Sequence, residues 1–186
     1  MDLEGMGGGG GGGAPTQAPI RATLGCTLEE LCTGTTKKIK VTRKRGGVDS
    51  EKLLEIVIKP GWKKGTSITF EHEGDEVKGG KPANLVFVIE EKPHPRFQRD
   101  GSDLVMDLKL RLADALCGTK VDIQTLDGRT LSVAVPEVIT PGYLKRVKGE
   151  GMPGKGGVKG DIVLRFEVTF PSFVPDAKKA AIKSLL

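Results

Sequence analysis

The chain has 186 residues, 37% of them apolar and 28% charged, with a formal net charge of +5. That length and composition permit one ordinary globular domain or two small ones, and no stretch approaches the roughly 18 consecutive apolar residues of a membrane span. The acidic, glycine-rich start lacks the apolar core of a secretory signal, and Cys26, Cys32 and Cys117 lack C-x-x-C spacing, which argues against a disulfide framework or zinc site and for reduced thiols.

Residues 1–19, MDLEGMGGGGGGGAPTQAP, cannot bury a core and read as a flexible tail or linker. From residue 20 the pattern is that of β-structure. Strand-like runs fall at IRATL (20–24), KKIKVTRK (37–44), LLEIVIK (53–59), SITFEHE (67–73) and NLVFVIEE (84–91). Between the first two lies LEELCTGT, a short helical turn that opens with Thr27 and Glu30 at capping-box spacing. Pro60-Gly61, Gly74-Asp75 and Gly79-Gly80 punctuate the runs as turns.

The second of these runs sits in TKKIKVTRKR (36–45), which holds much of the positive charge. A basic stripe attracts nucleic acid, acidic lipid or acidic peptide; the plainer reading is the solvated face of a half-buried strand, since Lys38, Lys40 and Thr42 alternate with Ile39, Val41 and Arg43. One Trp and one Tyr offer few platforms for stacking bases. An acidic peptide is therefore the favoured partner, and a basic β-rich nucleic-acid-binding module the alternative.

KPHPRFQRDGS (92–102) is a stiff proline-containing connection. His72 and His94 have no companions that suggest a metal or a catalytic triad, so both read as structural. A second set of strand-like runs follows: DLVMDLKLRL (103–112), TKVDIQT (119–125), RTLSVAV (129–135), YLKRVKG (143–149) and DIVLRFEVTF (161–170). Within it, KGEGMPGKGG (148–157) fits G-x-G-x-x-G and the first seven positions of a P-loop. Gly156 stands where a P-loop needs a hydroxyl for Mg²⁺, Pro153 removes an amide, and GGVKGDIVLRFEV alternates like a strand rather than opening a helix. The stretch reads as a turn between strands.

The two sets repeat one another. NLVFVIE (84–90) lies over DIVLRFE (161–167), Gly65 over Gly142 and Glu73-Gly74 over Glu150-Gly151, all 77 residues apart; LEELCTGT (28–35) lies over LADALCGT (112–119) at 84 to 85. The difference implies a longer loop near Gly46-Gly47 in the first copy. A repeat of this length means two copies of one small domain. The expected fold is mainly β: two tandem, similar small β-sandwich or barrel domains followed by a short C-terminal helix, with boundaries at 20–91, 92–102, 103–171 and 172–186. In that last segment Ala177, Ala181 and Leu185 are four apart, and Ile182 and Leu186 widen the apolar face. A helix this short is marginal alone and needs a partner surface.

No nucleophile–base pair, carboxylate pair or ligand cluster is visible, so neither an enzyme nor a metal or cofactor site is expected. The recognisable feature is the order of LEELCTGTTKKIKVTRK, IVIKPGWKKGTSITFEHEGDE, LVFVIEEKPHPRFQRDGSDL, DGRTLSVAVP and VKGEGMP. Together they resemble the C-terminal region of DnaJ-type co-chaperones, the forty-kilodalton heat-shock proteins, over about residues 20–186. The zinc-binding C-x-x-C-x-G-x-G repeats of one class are not among these residues, so the resemblance is to the second, Sis1-like class. Nor is the J domain's His-Pro-Asp; His94-Pro95-Arg96 is the nearest string. The resemblance implies a C-terminal fragment that binds clients without stimulating the partner's ATPase, in the cytoplasm and also the nucleus. It implies a groove on the first β-domain for unfolded polypeptide and for the acidic Glu-Glu-Val-Asp tail of the seventy-kilodalton chaperone. Alignment strand by strand places Ala22, Leu24, Ile39, Val41, Leu85 and Phe87 on that groove, with Lys37 and Lys40 beside it; core packing is the competing reading for the apolar ones. It also implies a homodimer through Ala177, Ala181, Ile182 and Leu185.

Overall fold

The computed structural model describes residues 17–76 and 80–186. The tail expected over 1–19 therefore lies outside the described residues, apart from 17–19. The chain divides into two units. One takes the residues up to Cys26, Thr36–Ile58 and Lys63–Glu91; the other takes Thr27–Thr35, Lys59–Trp62 and Lys92–Leu186.

In the first unit, β1 (Ile20–Cys26), β4 (Ser67–Phe70) and β5 (Leu85–Glu91) form one sheet in the order β1-β5-β4. Strand β1 runs parallel to β5, with Ala22 opposite Phe87 and Leu24 opposite Ile89, and β4 runs antiparallel to β5 with Ile68 opposite Phe87. Strands β2 (Thr35–Arg45) and β3 (Val48–Ile58) make a second, two-stranded sheet. Successive strand residues point to opposite faces, so each strand turns its less exposed face inward, buried on β5 and half-buried on β2. Leu24, Leu85, Phe87 and Ile89 on one sheet, and Leu54, Ile56 and Ile58 on the other, supply the core. Phe70 and Phe87 meet edge to face, 5.9 Å between ring centres, the arrangement their quadrupoles favour.

The second unit repeats this plan. Strands β7 (Asp103–Arg111), β10 (Leu144–Val147) and β11 (Ile162–Thr169) correspond to β1, β4 and β5: β7 is parallel to β11 and β10 antiparallel to it. Leu85 and Ile162 open their strands at the spacing of 77 read from the sequence, as do Ser67 and Leu144. Strands β8 (Thr119–Gln124) and β9 (Thr130–Val135) form the matching hairpin, each arm 6 residues long against 11 in β2 and β3. The extra length of the first hairpin accounts for the two spacings of the repeat.

Helix α1 (Leu28–Thr33) begins with the capping box expected of Thr27 and Glu30: the Glu30 amide donates to Thr27 Oγ1 at 3.3 Å, and the Thr27 amide to Glu30 Oε2 at 2.9 Å. Helix α2 (Leu112–Cys117) is its repeat partner and has no such cap. Helix α3 (Asp176–Leu185) ends the chain with no buried residue.

Three details differ from the sequence reading. A short strand β6 (Gln98–Asp100) lies inside the segment read as a connection and pairs antiparallel with the start of β7. The run 67–73 stops at Phe70, where a turn begins in which His72 has a φ of 57°. The residues after Lys155 form one turn of 3₁₀ helix, Lys155–Gly157, with Gly156 in the left-handed region; strand β11 starts only at Ile162.

Candidate functional site

The glycine-rich stretch is a backbone crossing. The Gly151 amide donates to the Gly160 carbonyl (2.8 Å), Met152 to Ser102 (2.8 Å), Gly154 to Val158 (2.8 Å) and Gly149 to the Asp161 carboxylate (3.1 Å). Amides that would cradle a phosphate are thus committed within the protein, and a carboxylate stands among them. The same region is held by ion pairs. The Asp161 backbone amide, then Arg146, holds the Asp103 carboxyl below the usual range. Arg129, then the Thr125 hydroxyl, does the same more strongly to Asp127.

His94 is also structural. Its Nδ1 accepts from the Phe97 amide at 2.9 Å, so that nitrogen carries no proton, and Nε2 donates to Glu29 Oε1 at 3.0 Å. The ring stacks on Phe97, 5.4 Å away. Burial pushes the Glu29 carboxyl up, but its hydrogen bonds to its own backbone, Thr27 and His94 outweigh this and hold it low. Burial, in contrast, pushes the Cys32 thiol up, away from the reactive thiolate. No disulfide links the three cysteines. Among the described residues no three His, Cys, Asp or Glu side chains gather as metal ligands, and no helix is long and apolar enough to cross a membrane.

The remaining feature lies on β1, β5 and β2 of the first unit. Strand β1 is an edge of its sheet, with β5 on one side. Leu24, Leu85 and Phe87 are buried at 6%, 4% and 4% exposure and pack as core. Ala22, Ile39 and Val41 are half-buried, so part of each remains reachable. The parity of β2 then divides its lysines. Lys37, Ile39, Val41, Arg43 and Arg45 share the half-buried face, while Lys38, Lys40, Thr42 and Lys44 share the exposed one. The Lys37 ammonium donates to the Gly25 carbonyl at 2.8 Å, tying β2 to β1. Lys40 points the other way and pairs with Glu51 at 2.7 Å; Lys38 pairs with Glu55 at 2.9 Å. The structure thus places Lys37 on one strand face with Ile39 and Val41, links it to Gly25 on β1, the strand that carries Ala22, and leaves Lys40 on the opposite face. Pairing with glutamates offsets two of the three lysines on the exposed face of β2, which weakens the nucleic-acid alternative.

Arg43 is a member of the inner face that the sequence reading did not include among the site residues. It ion-pairs with Glu73, which also takes Lys52, and its Nε finds no acceptor among the described residues. Burial, then the neighbouring Arg45, lowers the Arg43 guanidinium below its ordinary value. The signal for Arg43 was its odd number: it stands two residues beyond Val41 on the same strand face. From Lys37 to Arg45 the inner face of β2 therefore reads cation, apolar, apolar, cation, cation.

At the end of the chain, Ile182 and Leu186 line an apolar groove of about 460 Å³ with Leu112, Leu116, Phe170 and Pro171. Ala177, Ala181 and Leu185 lie in the open, Leu185 at 83% exposure. The structure thus separates Ile182, which lines the groove, from the other three.

The family model described as DnaJ C terminal domain matches residues 20–171. DnaJ homolog subfamily B member 5 of Homo sapiens is 40% identical over 176 residues, covering 90% of this chain and 51% of that protein. Protein SIS1 of Saccharomyces cerevisiae is 38% identical over 172 residues, covering 90% and 49%. DnaJ homolog subfamily A member 2 of Homo sapiens is 40% identical over 141 residues, covering 73% and 34%. The chain spans about half the length of the subfamily B relative and of SIS1.

Proposed function

The chain belongs to the DnaJ C-terminal domain family, as its motifs led us to expect, and from that premise we propose that it is the client-holding part of a co-chaperone. In this reading the first unit binds extended apolar polypeptide, and also the acidic Glu-Glu-Val-Asp tail of the seventy-kilodalton heat-shock chaperone. One observation carries it: half-buried Ile39 and Val41 share a strand face with Lys37, whose ammonium reaches Gly25 on the edge strand β1, where Ala22 is half-buried too. An added strand can satisfy its backbone on such an edge whatever its sequence, while alternate side chains enter the apolar row. Each large side chain buried contributes roughly 1.5–3 kcal/mol. Two or three of them, less the ordering costs, give about micromolar affinity, weak enough to release a client. The Lys37 ammonium supplies a flexible partner for a terminal carboxylate. Three thiols that form no disulfide suit a reducing compartment such as the cytoplasm or nucleus.

Fluorescence anisotropy with a labelled peptide ending in Glu-Glu-Val-Asp tests the reading. Lys37→Ala should weaken binding about tenfold, the loss of one charge-assisted contact of about 1.4 kcal/mol. Lys40→Ala should leave it nearly unchanged, since that ammonium is on the other face and paired with Glu51. Loss in Lys40→Ala but not in Lys37→Ala would overturn this placement of the tail.

We further propose a homodimer through α3. A ten-residue helix with no buried residue is too short to be stable without a partner surface, and pairing would present two grooves to one client and raise avidity. Sedimentation velocity over a concentration series should show a dimer that Leu185→Asp converts to monomer. A monomer at every concentration in the unsubstituted protein would refute it.

A further inference from the structure

We propose that His94 is an acid-sensitive pin on helix α1 and, through that helix, a positioning residue for the peptide site of the first unit. The pin stands on geometry; its effect on peptide affinity rests on the function proposed above. The two ring nitrogens are committed in opposite senses. Nδ1 accepts from two backbone amides, Phe97 at 2.9 Å and Arg96 at 3.2 Å, while Nε2 donates to Glu29 Oε1 at 3.0 Å. The side chain is 6% exposed and stacks on Phe97, itself 2% exposed. Only the neutral ring with its proton on Nε2 satisfies both sets of partners.

A second proton has one place to go, Nδ1, where it would point at two N–H groups. Both amides would lose their acceptor, which is costly away from water. Turning the ring over offers no escape, since it sets ring carbons against the amides and against Glu29. The charged groups around the ring are Glu29 from α1 and, from the connection, Arg96, whose guanidinium lies 5.8 Å from the centre of the Phe97 ring. On α1 the Glu30 carboxylate is turned back to the Thr27 amide, and burial pushes the Cys32 thiol up. On β6 the Arg99 guanidinium reaches the carbonyls of Gly61 and Trp62. Glu29 would welcome an added charge, but it cannot replace the acceptor lost at Nδ1. The ring therefore takes up its proton by leaving its seat.

What the pin holds is the link between two strands of the site. Helix α1 and its caps run from Thr27 to Gly34, joining the end of β1 at Cys26 to the start of β2 at Thr35. The Lys37 ammonium meets the Gly25 carbonyl just outside that link. The repeat shows that the fold does not require the pin. At the spacing of 84 that superposes the two short helices, Glu29 falls on Ala113, and at 77 His94 falls on Pro171, so the second copy has neither partner. A device present in the copy read as binding the tail, and missing from the other, points to regulation rather than folding. Acid would loosen α1, disturb the Lys37–Gly25 contact and weaken the hold on the peptide.

NMR of the full chain reads the pin directly. Between about pH 7.5 and about pH 5.5, within the interval where histidine changes charge, the Phe97 amide should lose its protection factor in step with protonation of the His94 ring. Over the same interval fluorescence anisotropy should show a Glu-Glu-Val-Asp peptide bound about threefold more weakly, although the peptide's own carboxylates stay ionised throughout. His94→Asn removes the proton site but keeps a side-chain oxygen for the two amides, as in an Asx turn, so its affinity should not vary with pH. His72, the chain's other histidine, has a φ of 57° that asparagine tolerates, and His72→Asn should keep the loss. A His94 ring that becomes charged while the Phe97 amide stays protected would overturn the proposal, as would a pH dependence that disappears with His72 rather than His94. Should His94→Asn fail to fold, the titration of the unsubstituted chain decides alone. If the peptide does not bind even at the neutral end, the first-unit reading fails by itself, and loss of Phe97 protection on acidification still upholds the pin.

Discussion

Gly151→Ala should unfold the second unit at a temperature roughly 10 °C below the unsubstituted protein. A Cβ at this position would stand 2.6 Å from both the Gly160 carbonyl carbon and the Ser102 carbonyl oxygen, and 2.8 Å from the Asp161 amide nitrogen. All three are backbone atoms, so no side-chain rotation relieves the clash. The crossing must open, which breaks the bonds that the Gly151 amide makes to the Gly160 carbonyl, the Gly160 amide to the Met152 carbonyl and the Met152 amide to the Ser102 carbonyl. Overpacking costs about 1–3 kcal/mol even where side chains can give way; here about 3 kcal/mol or more is expected, and each kcal/mol moves the midpoint of a chain this size by roughly 2–4 °C. Gly149→Ala is the control. It keeps the same stretch and has nothing within 4 Å, so only its φ of +71° opposes a side chain, at about 1 kcal/mol. Thermal unfolding by circular dichroism, followed alongside the Trp62 fluorescence of the same unit, distinguishes the two. Equal loss in both variants would mean that backbone conformation, not space, selects glycine at residue 151.

This result bears on how the glycines could be read from the sequence. A match to G-x-G-x-x-G says only that the backbone comes close to something. In KGEGMPGKGG that something is the chain itself. The repeat held the information, since Gly74 lies 77 residues before Gly151 and also sits against backbone, its Cβ position 2.9 Å from the Ala83 carbonyl. A glycine used identically in two copies that share no phosphate motif points to a packing role.

Strand content and the tandem plan were legible because buried faces impose a period of two, and β2 keeps it over 11 residues. The parallel pairing of β1 with β5 was not. It joins Ile20 to Leu85 across the whole first unit, and nothing local in either strand encodes a partner so distant. Strand β6 was missed because Gln98, Arg99 and Asp100 show no apolar alternation and follow two prolines; pairing with β7 across the Gly101 turn makes them a strand. The lysines of the site are different. Lys37 and Lys40 were set together beside the groove although their odd and even numbers put them on opposite faces of any regular strand. Resemblance supplied the neighbourhood there, and the strand period supplies the orientation. The helix α1 residues Leu28 and Leu31 were legible as a capped turn, but their burial, at 3% and 0% exposure, depends on loops far along the chain. The Gly61 amide, for one, donates to the Leu31 carbonyl.

Phe87→Ala is expected to abolish tail binding, and to do so by melting the first unit. The ring is 4% exposed, meets Phe70 edge to face and stands opposite Ala22 on one side and Ile68 on the other. Removing a buried phenylalanine costs about 3–5 kcal/mol through lost transfer energy and the cavity left behind, a large share of the stability of a small β-unit. Hydrogen exchange should therefore show β1, β4 and β5 losing protection while β7 and β11 keep it. Phe87→Leu keeps most of the volume and should cost less than about 1.5 kcal/mol, with tail affinity retained. If Phe87→Ala instead stays folded and protected yet no longer binds, the ring touches the ligand directly, and the groove must open deeper between β1 and β5 than the half-buried row of Ala22, Ile39 and Val41. If both variants bind normally, the ligand lies along β2 alone, where Lys37 and not the aromatic core decides the affinity.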